Sequence, residues 1–386
     1  MKNTKKRLAD FTAGGIMALA IFTALTMLGS FLLQMPDSDY ARGLAVMSAR
    51  LSSFGLFDKE DPPPAVDDDS PKPASVNPRV AGELIRLSGF GGWDIEAAPQ
   101  EIQDAETPEA EADELLYPID MESNDGKIVR KTYTYRPSST YIELPNGGLI
   151  RNCTDIDSEY LLEQCGRAPD FDVVLDGEPL VLIMHTHTTE SYEPYIRDYY
   201  DLSFSSRTTE LDKSVVAVGE KIAEKLEAAG IGVIHDETVH DYPHYTGAYD
   251  RSAVTIAEYL REYPSIKIVI DVHRDAIEED SVRYAPAAEI NGRSAAQVMI
   301  ICGCKNVPQY RYNLRIASRL QSQMESDYPG LTRPILFDER NYNQEMTHGS
   351  FLIEMGSNAN SLDEALYSGE LVGESLAKVI RGLAGH

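Results

Sequence analysis

The sequence predicts an α/β fold: one domain over residues 130–386, built on a largely parallel, twisted sheet with helices on both faces. Four short, nearly continuous apolar runs supply the first indication: PLVLIMH, IKIVIDVH, AAQVMIICG and GSFLIEMG. Runs of this kind are the pattern of strands buried on both faces. Amphipathic stretches alternate with them, and such alternation implies parallel strands joined by crossover helices. Three of the runs also close on His or Glu, and parallel sheets collect their chemistry at the carboxyl ends of strands.

Taken in order, TYTYRPSSTYIEL and GGLIRN read as strands ahead of the first buried run, PLVLIMH. A helix over 212–229 follows, with Val215, Val218, Ile222 and Leu226 at three- and four-residue spacing and a stop at Gly230. Similar helical patterns cover 250–263, 313–326 and 362–383, each between apolar runs.

The residues before 130 read differently. Residues 1–10 are a short tail with bases at Lys2, Lys5, Lys6 and Arg7. From Phe11 to Leu33 there are 23 residues without a charge. At about 1.5 Å per residue this spans a ~30 Å hydrocarbon core, so 11–33 is expected to be an uncleaved transmembrane helix. A cleaved signal peptide would have a shorter apolar region, about 7–15 residues. The basic flank places the tail in the cytoplasm and the rest outside. Residues 34–129 read as an acidic, proline-rich tether, because segments such as DPPPAVDDDSPKPASVNP hold too few apolar residues to offset their ordering entropy. Within it, VAGELIRLSGFGGWDI forms an apolar island with the only tryptophan, Trp93.

Charge follows the same division. The chain has 35 Lys and Arg against 62 Asp and Glu, a net charge of −27. Residues 58–125 alone carry 19 acids and four bases. No basic footprint for nucleic acid exists, so a nucleic-acid partner is excluded.

The chemistry-bearing residues stand where the strands end. PLVLIM leads into His185-Thr186-His187-Thr188-Thr189-Glu190, in which His187 and Glu190 form an H-x-x-E pair. IKIVIDV ends in His273, followed by Arg274, and SFLI ends in Glu354. Two histidines and a carboxylate are a ligand set for catalytic zinc, so His187, Glu190 and His273 are assigned as metal ligands and Zn2+ as the cofactor. Glu354 is assigned as the carboxylate that moves a proton. His185 stays open as an alternative to His187, since strand alternation would point both the same way. Arg274 is assigned a catalytic role, clamping a substrate carboxylate or the developing oxyanion, with pairing to Asp275 as the alternative. His235, His240 and His244 read as a loop lining the cleft, and His348 as a residue within reach of substrate. Cys153 and Cys165 are spaced for a disulfide across a small loop, whereas Cys302-Gly-Cys304 is not.

At GGLIRNCT, VLIMHTHTTESYEPY, IDVHRDA and YNQ…LIEMGSNANSLDEA the sequence resembles the stage II sporulation protein P family, over roughly residues 130–386. The resemblance implies a zinc-dependent peptidoglycan hydrolase related to N-acetylmuramoyl-L-alanine amidases, with endopeptidase activity on stem-peptide cross-links. It implies action during engulfment, anchored in the cell membrane on the extracytoplasmic side, in complex with the stage II sporulation proteins D and M. Carried onto this chain, it puts metal-binding roles on the HTHTTE segment and His273 and a catalytic role on Glu354. Two other readings remain at this point: a zinc carboxypeptidase or endopeptidase restricted to stem peptides, and a non-catalytic wall-binding scaffold.

Overall fold

Strands and helices alternate through residues 114–118, 121 and 123–385, the part of the chain that the computed structural model describes. In chain order they are β1 (Gly126–Lys131), β2 (Tyr141–Glu143), β3 (Leu149–Asn152), α1 (Ser158–Gly166), β4 (Pro179–Met184), β5 (Tyr199–Tyr200), α2 (Val215–Ala228), β6 (Gly232–His235) and α3 (Ala248–Glu262). There follow β7 (Ile268–Asp275), β8 (Glu278–Glu279), β9 (Val282–Ile290), β10 (Arg293–Ala296), β11 (Val298–Gly303), α4 (Tyr310–Asp327), β12 (Ile335–Asp338), β13 (Gly349–Ser357) and α5 (Leu362–Ala384).

Eight strands form the main sheet, in the order β2-β3-β12-β11-β13-β7-β4-β6. The apolar runs become its centre: β4, β7, β11 and β13 are almost wholly buried. The expectation of a largely parallel sheet is corrected here, because the sheet is mixed. The β2–β3 and β11–β13 pairs are antiparallel, and the other neighbours are parallel. A buried apolar run reads the same in either direction, so periodicity carries no information about strand polarity. A second sheet, β10-β9-β1-β5 with β8 beside β9, was not anticipated. Its longest strand, VRYAPAAEI, lacks the apolar density of the central runs and contains Pro286.

The two faces of the main sheet are covered unequally. Val181, Ile183, Ile268, Ile270, Val272, Phe351 and Ile353 point into the large core shared with α1, α2, α4 and α5. The alternate residues Leu182, Met184 and Val269 pack against Ile256 of α3 in a smaller cluster. By the two-residue period of a strand, Asp271, His273 and Glu354 lie on the α3 face, which one helix only partly covers.

Chain N-terminal to residue 130 also takes part in the fold. Leu115 hydrogen-bonds Thr208 and Thr209, and the Tyr117 hydroxyl donates to the Tyr192 carbonyl at 3.0 Å. The predicted transmembrane span 11–33, the tail 1–10 and most of the tether lie outside the described residues. Among the described residues no helix is long and apolar enough to cross a membrane. The four cysteines are free thiols. Cys165 is buried in the large core while Cys153 is exposed, so the spacing that suggested a bridge does not produce one.

Candidate active site

Beyond Met184 the chain does not continue as a strand but turns over residues 186–189. Short polar side chains fix this turn. Thr186 donates to the Asp271 carboxylate through both N–H and Oγ1, each at 2.8 Å. Thr189 does the same to Asp241, at 3.1 and 2.7 Å. The Glu190 N–H closes the turn on the His187 carbonyl at 3.0 Å. Because the backbone turns, strand alternation fails and the two histidines diverge.

His185 goes to the α2 side. Its Nδ1 lies 3.0 Å from the Val272 carbonyl and its Nε2 3.0 Å from Nε2 of His235, whose Nδ1 reaches Glu220 at 2.9 Å. Burial, then the neighbouring His235, pushes His185 down to about 3, so it is neutral. His187 goes to the α3 side, with its ring centroid 5.3 Å from that of His273 and edge-to-face with it. Tyr245 lies over its other face at 4.6 Å, with the phenol oxygen 3.1 Å from Nε2. The remaining nitrogen, Nδ1, is buried without a hydrogen-bond partner. Burial pushes His187 down to about 4, against the opposing charge of Glu190.

Glu190 sits between cations. Its Oε2 accepts from the Arg274 backbone N–H at 3.2 Å and lies 3.5 Å from His273 Nδ1. Its Oε1 is 3.7 Å from both the Arg207 and the Arg274 guanidinium. Burial alone would raise its pKa, but Arg274, His273 and His187 together hold the carboxyl well below the usual range. His273 is flanked by two acids, Glu190 and Asp271, the latter with Oδ1 2.8 Å from Nε2 but out of line for a hydrogen bond. Those charges outweigh burial and raise its pKa well above the ordinary value.

Glu354 faces His273 directly across the β13–β7 pairing. Just beyond it the register shifts, and Gly356 takes φ 75°, where a Cβ would come 2.7 Å from that of Ala296. Three residues of β13 there span two of β7, and the pairing resumes with Ser357 opposite Asp275. Glu354 is partly exposed, yet its Oε2 is buried and has no hydrogen-bond partner. Burial, then Asp275, pushes its pKa up to about 8, with His273 opposing.

The structure therefore brings His187, Glu190, His273 and Glu354 together. Arg274 is adjacent but committed: Nε donates to the Ser191 carbonyl at 3.0 Å and Nη2 to the Ser206 carbonyl at 2.9 Å. Asp275 pairs with Arg333 instead, at 2.9 Å. His240, in the loop after β6, is held by the His185 carbonyl at 2.9 Å and by Thr255 at 2.9 Å. His348 is corrected: it precedes β13, at the opposite end of that strand from Glu354, and pairs with Asp170 at 2.9 Å. Sequence reasoning missed Arg207, Tyr245, Tyr249 and Tyr342. Tyr249 stacks on His273 at 6.4 Å and meets Tyr342 at 5.4 Å, forming an aromatic wall. These residues come from loops and a helix start, where no periodicity marks them.

Among the described residues no three His, Cys, Asp or Glu side chains already form a coordination cage. The chemistry nevertheless fits a divalent cation. His187 Nδ1 and Glu354 Oε2 are buried polar atoms without a hydrogen-bond partner, and buried polar groups are otherwise satisfied. The positive charge between Glu190 and Asp271 is supplied by a proton on His273, a place that a bound cation would take over.

A family model described as Stage II sporulation protein P (SpoIIP) matches residues 91–380. The chain belongs to that family. Stage II sporulation protein P of Bacillus subtilis (strain 168) is 31% identical over 196 residues, 48% of this chain and 47% of that protein. The match thus spans about half the length of the curated relative. Among solved structures, the N-acetylmuramoyl-L-alanine amidase AmiC2 of Nostoc punctiforme gives a TM-score of 0.33 at 12% identity, covering 54% of this chain and 98% of that one. The CwlD amidase of Clostridioides difficile, solved in complex with the GerS lipoprotein, gives 0.33 at 15% identity, covering 52% and 94%.

Proposed function

We propose that this protein is a peptidoglycan hydrolase that uses zinc to cleave the amide between N-acetylmuramic acid and L-alanine, with endopeptidase action on stem-peptide cross-links. The observation that carries this reading is the buried set of His187, Glu190 and His273 beside Glu354, in a chain of the stage II sporulation protein P family. His187, Glu190 and His273 would hold the metal, and their two neutral imidazoles and one carboxylate are a zinc-type donor set. When bound, zinc supplies Lewis acidity, polarising a carbonyl and making water more acidic.

The chain's own residues supply the rest. Arg274 and Arg207 keep Glu190 ionised and fix its carboxylate. Asp271 and the threonines of the turn fix where His187 and His273 stand. Glu354, with one oxygen unpartnered and its pKa near neutrality, accepts a proton from the attacking water and returns it to the departing amine. Arg274 acts through Glu190 as a positioning residue, since its donors are taken by backbone carbonyls.

The proposal extends to setting. Residues 11–33 anchor the chain in the cell membrane, the catalytic domain works extracytoplasmically during engulfment, and the stage II sporulation proteins D and M are its partners. The family supports these assignments. The test is digestion of purified sacculi by the full-length protein, with and without chelator, and mass spectrometry of the products. Glycan chains free of stem peptides, lost on chelation, are the expected result. Products cut only within stem peptides would replace the amidase assignment with an endopeptidase one.

A further inference from the structure

The loop between β12 and β13 brings to the cleft a residue that the scheme above leaves unused. Tyr342 and Asn343 are consecutive non-glycine residues in the left-handed region, both at φ 54°. Such strain persists only where surrounding contacts impose it, and it clusters at functional sites. Here the contacts are explicit. Asn343 Nδ2 donates to the Tyr249 carbonyl at 2.9 Å and lies 3.1 Å from Ser252 Oγ, which fastens the loop to α3. Gln344 accepts from the Gly303 N–H at 2.7 Å and donates to the Ile301 carbonyl at 2.9 Å, which fastens it to β11.

Held this way, the Tyr342 ring packs at 5.4 Å on Tyr249, which in turn stacks on His273. The phenol oxygen accepts from Arg340 Nη1, and Arg340 Nε is itself fixed on Asp338 at 2.8 Å. A phenol that accepts from a guanidinium keeps its own proton for another acceptor. Burial, against the opposing charge of Arg340, raises the Tyr342 pKa, so the proton is present at neutral pH. The stack Tyr342–Tyr249–His273 sets the Tyr342 ring one aromatic layer away from His273.

We propose that Tyr342 is a substrate-contacting donor whose O–H hydrogen-bonds the carbonyl oxygen of the amide under attack, with Arg340 holding the phenol in place. No bond is made or broken at Tyr342. The proton stays on the phenol, and the hydrogen bond strengthens as the carbonyl oxygen gains negative charge. A residue that merely filled space against Tyr249 would do so equally well as phenylalanine. The inference rests on the hydrolase reading and deepens it.

The test is Tyr342→Phe in the full-length metal-loaded protein acting on sacculi. We expect kcat to fall about 10²–10³-fold, as for loss of one oxyanion donor. KM should rise no more than about fivefold, the worth of one ground-state hydrogen bond, with metal content and thermal midpoint unchanged. A variant within threefold of wild-type kcat overturns the proposal, and so does a loss traced to released metal or a lowered midpoint. Binding of a disaccharide-peptide fragment to Glu354→Gln, with and without Tyr342→Phe, separates the two levels. If the wild type leaves sacculi intact, the hydrolase reading fails, while weaker fragment binding on loss of the hydroxyl still supports the contact and unchanged binding overturns it.

Discussion

Replacing Gly219 by alanine should destabilise the protein even though alanine is the better helix residue. Gly219 lies inside α2, where a glycine-to-alanine change ordinarily gains about 1 kcal/mol. The new Cβ would stand 2.7 Å from Cε1 and Nε2 of His185 and 2.8 Å from Nε2 of His235. His185 is fully buried, and both of its nitrogens are engaged, by Val272 and His235. Moving it breaks two buried hydrogen bonds at about 1 kcal/mol each. Overpacking adds a further ~1–3 kcal/mol. After the helix gain, a net loss of about 2–4 kcal/mol remains. Denaturant unfolding of the full-length protein, followed by circular dichroism, reads this as a lowered midpoint at unchanged slope. Alanine at 219 that stabilises the chain by the ordinary helix increment would refute the argument. His185 would then not be the fixed post from which the turn carrying His187 departs.

Acid should act through the start of α5 and through His185. Glu364 caps α5 with Ser361 and accepts from Arg130 and Ser294; burial raises its pKa, but these partners lower it on balance. Its stabilisation is therefore present above the unfolded value and lost as pH falls through the folded one. His185, depressed to about 3, has the same sign, so stability should decline from about pH 6.5 to 3. Glu364→Gln should flatten the lower part of that decline in a pH series of unfolding curves. His273→Ala should drop bound zinc from about one per chain to near zero by elemental analysis, and a variant that retains the ion would remove His273 from the ligand set. With a thiol reagent at pH 8 the native protein should be labelled first at Cys153, while Cys165, pushed up to about 11 by burial, should react only on unfolding. The acidic tether should repel anionic wall polymers, so residues 114–386 should bind sacculi more tightly than the full chain at low salt and equally at high salt.

The strands that carry the site were legible because burial on both faces demands unbroken apolar runs, and a His or Glu closing such a run stands out. PLVLIM, IKIVIDV and SFLI are the central strands β4, β7 and β13. Strand direction was not legible: a largely parallel sheet was expected, and β2–β3 and β11–β13 run antiparallel within it. The choice between His185 and His187 was hidden by a different cause. Alternation assumes that the strand continues, while Asp271 and Asp241 draw the threonines of HTHTTE into a turn. Arg207, Tyr245 and Tyr342 reach the site from segments whose positions depend on tertiary contacts. Tyr342 in particular depends on Asn343 gripping α3, 94 residues away from Tyr249 in sequence. No local pattern encodes such a contact.

The central claim is that Glu354 moves the proton at a site held by His187, Glu190 and His273. Glu354→Gln in the full-length protein, assayed on purified sacculi together with its zinc content, tests that claim most directly. The account predicts bound zinc at the wild-type level with turnover reduced by about 10²–10⁴-fold. Wild-type turnover by this variant would contradict it.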